Sequence, residues 1–79
     1  MQEELNETEI KIIHLVALGY DNQEIADKLC IALSTTKFYI ARIFRKLNST
    51  NRIKAVNMWL KEYKKIDLEA YIKKSMLDL

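Results

Sequence analysis

A chain of 79 residues, 49% hydrophobic and 30% charged, has the composition of one small globular domain and not of a disordered tail. Its single cysteine, Cys30, excludes an internal disulfide, and with the lone His14 it makes no metal-ligand cluster. The net charge of +2 hides an asymmetry: residues 1–36 sum to −5 and residues 37–79 to +7, with six bases and no acid from Lys37 to Lys54. One glycine and no proline leave few interruptions, which points to an all-α fold. The acidic, polar opening MQEELNETE is expected to be neither a signal nor a transit peptide. No apolar run approaches the roughly 20 residues that cross a membrane.

The first helix is predicted over about Glu7–Leu18. Asn6 is its N-cap, and Glu9 three residues later completes a capping-box pattern. Leu5 and Ile10 are spaced for a hydrophobic staple, while Ile10, Ile13 and Ala17, joined by Ile12 and Val16, form an apolar stripe. Gly19 supplies the left-handed residue that stops the helix. His14 sits between apolar residues and is expected at a surface or edge position, with no partner in view for ligand or catalytic chemistry. Asp21-Asn22-Gln23-Glu24 repeats the capping box and opens a second helix to about Leu29, with Ile25, Ala26 and Leu29 inward. Cys30, Ile31 and Ala32 leave room only for a tight turn. Ile31 is expected to plug the gap between the helices, and Cys30 to be a small packing residue.

The third helix is expected from Leu33 or Ser34 to Leu47, with Thr36, Ile40, Ile43 and Leu47 on one inward face and Phe44 beside it. Ser34, Lys37, Phe38, Ala41, Arg42 and Arg45 fall on the opposite side. Asn48 can take the left-handed cap. A fourth helix, capped by Ser49, Thr50 or Asn51, reaches about Lys64 with Ile53, Ala55, Val56, Trp59, Leu60 and Tyr63 apolar. Asp67 caps a last helix whose stripe is Leu68, Tyr71, Ile72, Met76 and Leu79. The expected organisation is a domain over residues 1–65 and an amphipathic helical extension over 66–79. That extension packs on its own domain, enlarges a dimer interface or binds another protein.

A short helix, a turn of three residues and a longer helix with a basic outer face have the design of a DNA-reading helix-turn-helix. The first helix braces the second, whose N-terminal half offers side chains to base edges. Lys and Arg reach guanine acceptors, Ser and Thr read either way, and a ring or methyl can touch the thymine methyl. Flanking bases hold phosphates, which add affinity without sequence information. Periodicity alone selects Lys37, Phe38, Arg42 and Arg45 as the outward set.

The spacing Leu5, Glu9, Ala17, Gly19, then Asn22-x-Glu24-Ile25-Ala26-x-x-Leu29-x-Ile31, Thr35-x-Lys37, Ile43, Lys46-Leu47, Arg52 and Ala55-Val56 carries a resemblance. Over residues 5–56 the chain resembles the LuxR/GerE-type helix-turn-helix regulators of bacteria. The resemblance implies a four-helix domain, here with an additional C-terminal helix, whose third helix enters the major groove and whose fourth mediates dimerisation. It puts Lys37, Phe38 and Ala41 where bases are approached, with Ser34 and Arg42 beside them. Thr8, Asn22, Thr35, Lys46 and Arg52 fall where backbone contacts or helix orientation are expected. Ala32 departs from the serine that caps the family's recognition helix, which predicts a frayed start or one moved to Ser34. Thr36 stands for a buried valine, Tyr39 for a histidine and Ser49 for a valine anchoring the next loop.

The expected function is a sequence-specific DNA-binding transcriptional regulator in the cytoplasm, at the nucleoid. It is expected to be a homodimer on double-stranded DNA carrying an inverted repeat. Ile53, Val56, Met58, Trp59 and Tyr63 are the candidates for the dimer interface, although Trp59 suits a monomer core equally well. Another regulator or RNA polymerase is a further expected partner. The alternative is an interaction module that heterodimerises with a larger regulator and modulates it. No nucleophile–base pair, metal-ligand set or glycine-rich phosphate loop points to an enzyme or a cofactor.

Overall fold

The computed structural model describes residues 4–64 and 68–77. They form α1 (Glu7–Ala17), α2 (Asn22–Leu29), α3 (Leu33–Lys46), α4 (Arg52–Trp59) and α5 (Leu68–Leu77), with α4 running on into a wider π turn at Leu60–Lys64. No strand occurs among the described residues, and the fold is all-α.

Side chains start three of these helices. Asn6 Oδ1 accepts the Glu9 N–H at 2.9 Å while Glu9 Oε1 accepts the Asn6 N–H at 2.8 Å. Asp21 and Glu24 repeat this reciprocal pair at 2.9 and 3.0 Å. Each pair satisfies two of the N–H groups that a helix start leaves without partners. Of the three candidates for α4, Asn51 is the cap, accepting the Lys54 N–H at 3.0 Å. Ser49 shapes the preceding loop, its hydroxyl accepting the Asn51 N–H and donating to the Asn51 carbonyl.

The first three helices end alike. Gly19, Cys30 and Asn48 take left-handed backbone, with φ of 95°, 55° and 54°. In each case the following N–H closes back onto the last turn: Tyr20 to Leu15, Ile31 to Ala26 and Ser49 to Phe44, at 2.9–3.1 Å. Gly19 and Asn48 do what their residue types predict. Cys30 does not, because its side chain is exposed and packs no core. The bend between α2 and α3 has no glycine, so this cysteine carries the left-handed residue, which costs a non-glycine residue about 1–2 kcal/mol.

One core joins all five helices. Ile12, Ile13 and Val16 of α1 meet Ile25 of α2, Ile40 and Ile43 of α3, Leu47 after it, Ala55, Val56 and Trp59 of α4, Leu60, and Tyr71 of α5. The predicted inward face of α3 is buried throughout, at Thr36, Ile40, Ile43 and Leu47. The stripe of α1 is shifted from the expected one. Ile10 is 40% exposed, and its place in the buried register is taken by Glu9, which is 0% exposed. Residues 9, 12, 13 and 16 lie at i, i+3, i+4 and i+7, so a carboxylate sits on the apolar face.

α5 packs on its own domain through Tyr71, which is 8% exposed. The Tyr71 ring meets Trp59 edge-on at 5.6 Å and His14 at 5.5 Å, and its hydroxyl shares a hydrogen bond with His14 Nδ1. His14 is thus a bridge between α1 and α5, half-buried as an edge position is, with Tyr71 as the partner that the sequence alone does not show. The readings of Asp67 and Leu79, and of the side chains of Tyr63, Leu68 and Met76, lie outside the described residues.

Candidate nucleic-acid interface

α3 is an amphipathic helix clamped on its inner side. Its outer side carries Ser34, Lys37, Phe38, Ala41 and Arg45, all exposed. Thr35 is half-buried at the first turn. Ala32 occupies the N-cap without any side-chain hydrogen bond, yet the helix starts at Leu33 and has not moved to Ser34. Thr36, on the buried side, satisfies its own hydroxyl but leaves the helix-start N–H groups without a side-chain cap. It is 0% exposed, and both its N–H (3.0 Å) and its hydroxyl (3.2 Å) donate to the Ala32 carbonyl. A hydroxyl where an apolar residue was the pattern therefore stays satisfied by bonding back along the helix. Restoring a cap should add to this: Ala32→Ser is expected to raise stability by about 1 kcal/mol, read as a higher urea midpoint at an unchanged slope.

The basic side chains of this region divide into two groups. Lys37, Arg45 and Lys54 are exposed. Lys46, Arg42 and Arg52 are engaged inside the domain. Lys46 is 8% exposed, with Nζ donating to Glu9 Oε1 at 2.7 Å and to the Glu4 carbonyl at 3.4 Å. Arg42 is half-buried, its Nε 3.4 Å from Glu9 Oε2. One carboxylate on α1 thus holds two cations on α3. Burial by itself pushes the Glu9 carboxyl up, but the Lys46 ammonium, the Asn6 N–H and the Arg42 charge outweigh it and hold it below its ordinary value.

Arg52 does the same for α2 and α4. Its guanidinium donates to Asn22 Oδ1 at 2.9 Å and to the Tyr20 carbonyl at 2.8 Å, which ties the start of α4 to the start of α2. An open depression of about 550 Å³ lies beside this tie, lined by residues 19–23 with Leu33, Lys37 and Arg52. It runs from the start of α2 to the start of α3 and is bordered by two cations, Lys37 and Arg52, and one acid, Asp21.

Each expected residue therefore has a definite setting. Ser34, Lys37, Phe38, Ala41 and Arg45 share one exposed face, and Asn22 borders the depression at its edge. Thr8 is exposed on α1. Lys46 and Arg52 orient helices, and Arg42 lies between the two roles. Of the residues expected at a dimer interface, Ile53 is 65% exposed and Met58 half-buried on α4. Val56 (3%) and Trp59 (1%) are inside the chain, because α4 turns that side onto α1 and α5. The monomer core is where Trp59 goes. Sequence reasoning missed Glu9 as an internal anchor, although its register with Ile12, Ile13 and Val16 signals a buried position.

The family profile of bacterial regulatory proteins, luxR family, matches residues 3–59. The chain is 41% identical over 56 residues to response regulator protein VraR of Staphylococcus aureus (strain Mu3), and equally to those of Staphylococcus saprophyticus and Staphylococcus epidermidis. The aligned stretch covers 71% of this chain and 27% of each relative, so the chain spans about a quarter of the length of the curated relatives it matches.

Proposed function

The chain belongs to the luxR family of bacterial regulatory proteins, and from that premise we propose that it is a sequence-specific DNA-binding transcriptional regulator. The exposed face of α3 carries this reading: short polar groups, an apolar ring and unengaged cations together, on a helix whose opposite face is locked to α1 and α2. α3 lies in the major groove with Ser34, Lys37, Phe38 and Ala41 toward base edges. Arg42, Arg45, Thr8, Thr35 and Asn22 contact the phosphate backbone. Lys46 and Arg52 set helix orientation through Glu9 and Asn22. The likeness to response regulator proteins supports regulation as the role.

The working form is a homodimer on an inverted repeat, joined through α4 at Ile53 and Met58, with recognition helices about 34–36 Å apart. It acts in the cytoplasm at the nucleoid. The chemistry is recognition and not catalysis. Selection from a random duplex library should recover one inverted-repeat motif. On that duplex Lys37→Ala should cost about 10- to 100-fold in affinity, as loss of a base contact does. Arg45→Ala should weaken all duplexes alike and flatten the salt dependence by about one unit of slope. Recovery of no motif from a folded protein would shift the function to a module that pairs with a larger regulator.

A further inference from the structure

Phe38 is the residue on the outer face of α3 whose exposure runs against its chemistry. Its side chain is 61% exposed, one helical turn after Ser34 and one turn before Arg42, with Ala41 at its side. An apolar ring in water gains nothing from its place unless a partner covers it. The ring has an aromatic neighbour. It meets Tyr39 edge-on, with centroids 6.1 Å apart and planes at 66°, and Tyr39 in turn packs on the core. Around it, no acid interrupts the sequence from Lys37 to Lys54.

A partner that suits this setting is anionic overall and presents one apolar group. The major groove supplies both, since the thymine 5-methyl is the apolar group that projects into it.

We propose that Phe38 is the thymine-reading residue of this domain, its ring packing on the 5-methyl group of one thymine in each half-site. The assignment rests on the DNA-binding reading and makes it more specific. A phenyl ring has only two side-chain torsions to fix on contact, and the small Ala41 beside it leaves space for the base pair to approach.

The test uses the duplex recovered by selection, with each thymine replaced in turn by deoxyuridine, which keeps the base pair and removes only the methyl. For the full chain, fluorescence anisotropy should show one thymine per half-site whose replacement weakens binding about four-fold, the worth of one buried methyl-sized group. For Phe38→Ala, verified as folded by circular dichroism and melting, thymine and deoxyuridine duplexes should bind alike. A wild-type chain indifferent to every methyl, or a methyl effect that survives Phe38→Ala, overturns the assignment and leaves DNA reading standing. Failure of the unsubstituted duplex to bind better than random DNA overturns both.

Discussion

Replacing Glu9 with alanine is expected to cost the chain about 3–5 kcal/mol of folding stability, the largest effect of any single substitution on the α1–α3 contact. The carboxylate is fully buried, and its removal strands the nearly buried Lys46 ammonium while releasing Arg42. It also removes half of the capping box that starts α1. Small domains hold only about 5–15 kcal/mol in total, so the variant keeps a much reduced margin and should melt at a markedly lower temperature. The double variant Glu9→Ala, Lys46→Met should recover much of the loss, because an unpaired charge costs more than an apolar pair of similar volume. Urea unfolding of the four members of the cycle measures this directly.

The same residue sets an acid limit. Its folded carboxyl lies below the ordinary value of 4.5, so the unfolded chain takes up the proton first as pH falls. The stability that Glu9 contributes is complete above about pH 4.5 and is lost as pH drops through the lowered folded value. Glu9→Gln should remove that part of the acid-dependent slope while leaving the rest of the profile in place.

Trp59→Ala is expected to cost a similar amount, about 3–5 kcal/mol, by opening a cavity where the largest fully buried side chain stood. The edge-on contact with Tyr71 is lost with it, and such pairs contribute about 0.5–1.5 kcal/mol beyond area burial. α5 should then detach first, since Tyr71 is its buried anchor. The measurement is the urea midpoint at several protein concentrations. A core tryptophan gives the same loss at every concentration, whereas an interface tryptophan gives a loss that depends on concentration.

The legible part of the fold is the part written in local patterns. Two capping boxes placed the starts of α1 and α2, Asn48 announced the end of α3, and the spacing of Thr36, Ile40, Ile43 and Leu47 defined the inner face of α3. What escaped depends on contacts between distant residues. Local pattern shows Glu9 only as a cap, because its partners Lys46 and Arg42 lie on α3, far along the chain. His14 meets Tyr71 across 57 positions, and Trp59 was undecided between core and interface until α5 was in place beside it. Cys30 looked like a packing residue because nothing in its neighbours shows that the turn needs a left-handed residue there. For the candidate interface the logic was similar. Periodicity separates the outer face of α3 from the inner one and leaves Lys46 off the outward set, but it cannot tell the exposed Lys37 and Arg45 from Arg42, which the Glu9 carboxylate on α1 engages.

In the proposed complex the exposed face of α3 is the surface that meets DNA. The most direct measurement is a titration of the selected duplex into the isotope-labelled chain, followed by amide chemical-shift changes. Changes should be concentrated at Ser34, Lys37, Phe38 and Ala41, with Asn22 and its neighbours at the start of α2. Changes confined to α4 and α5, with α3 unmoved, would contradict this placement of α3.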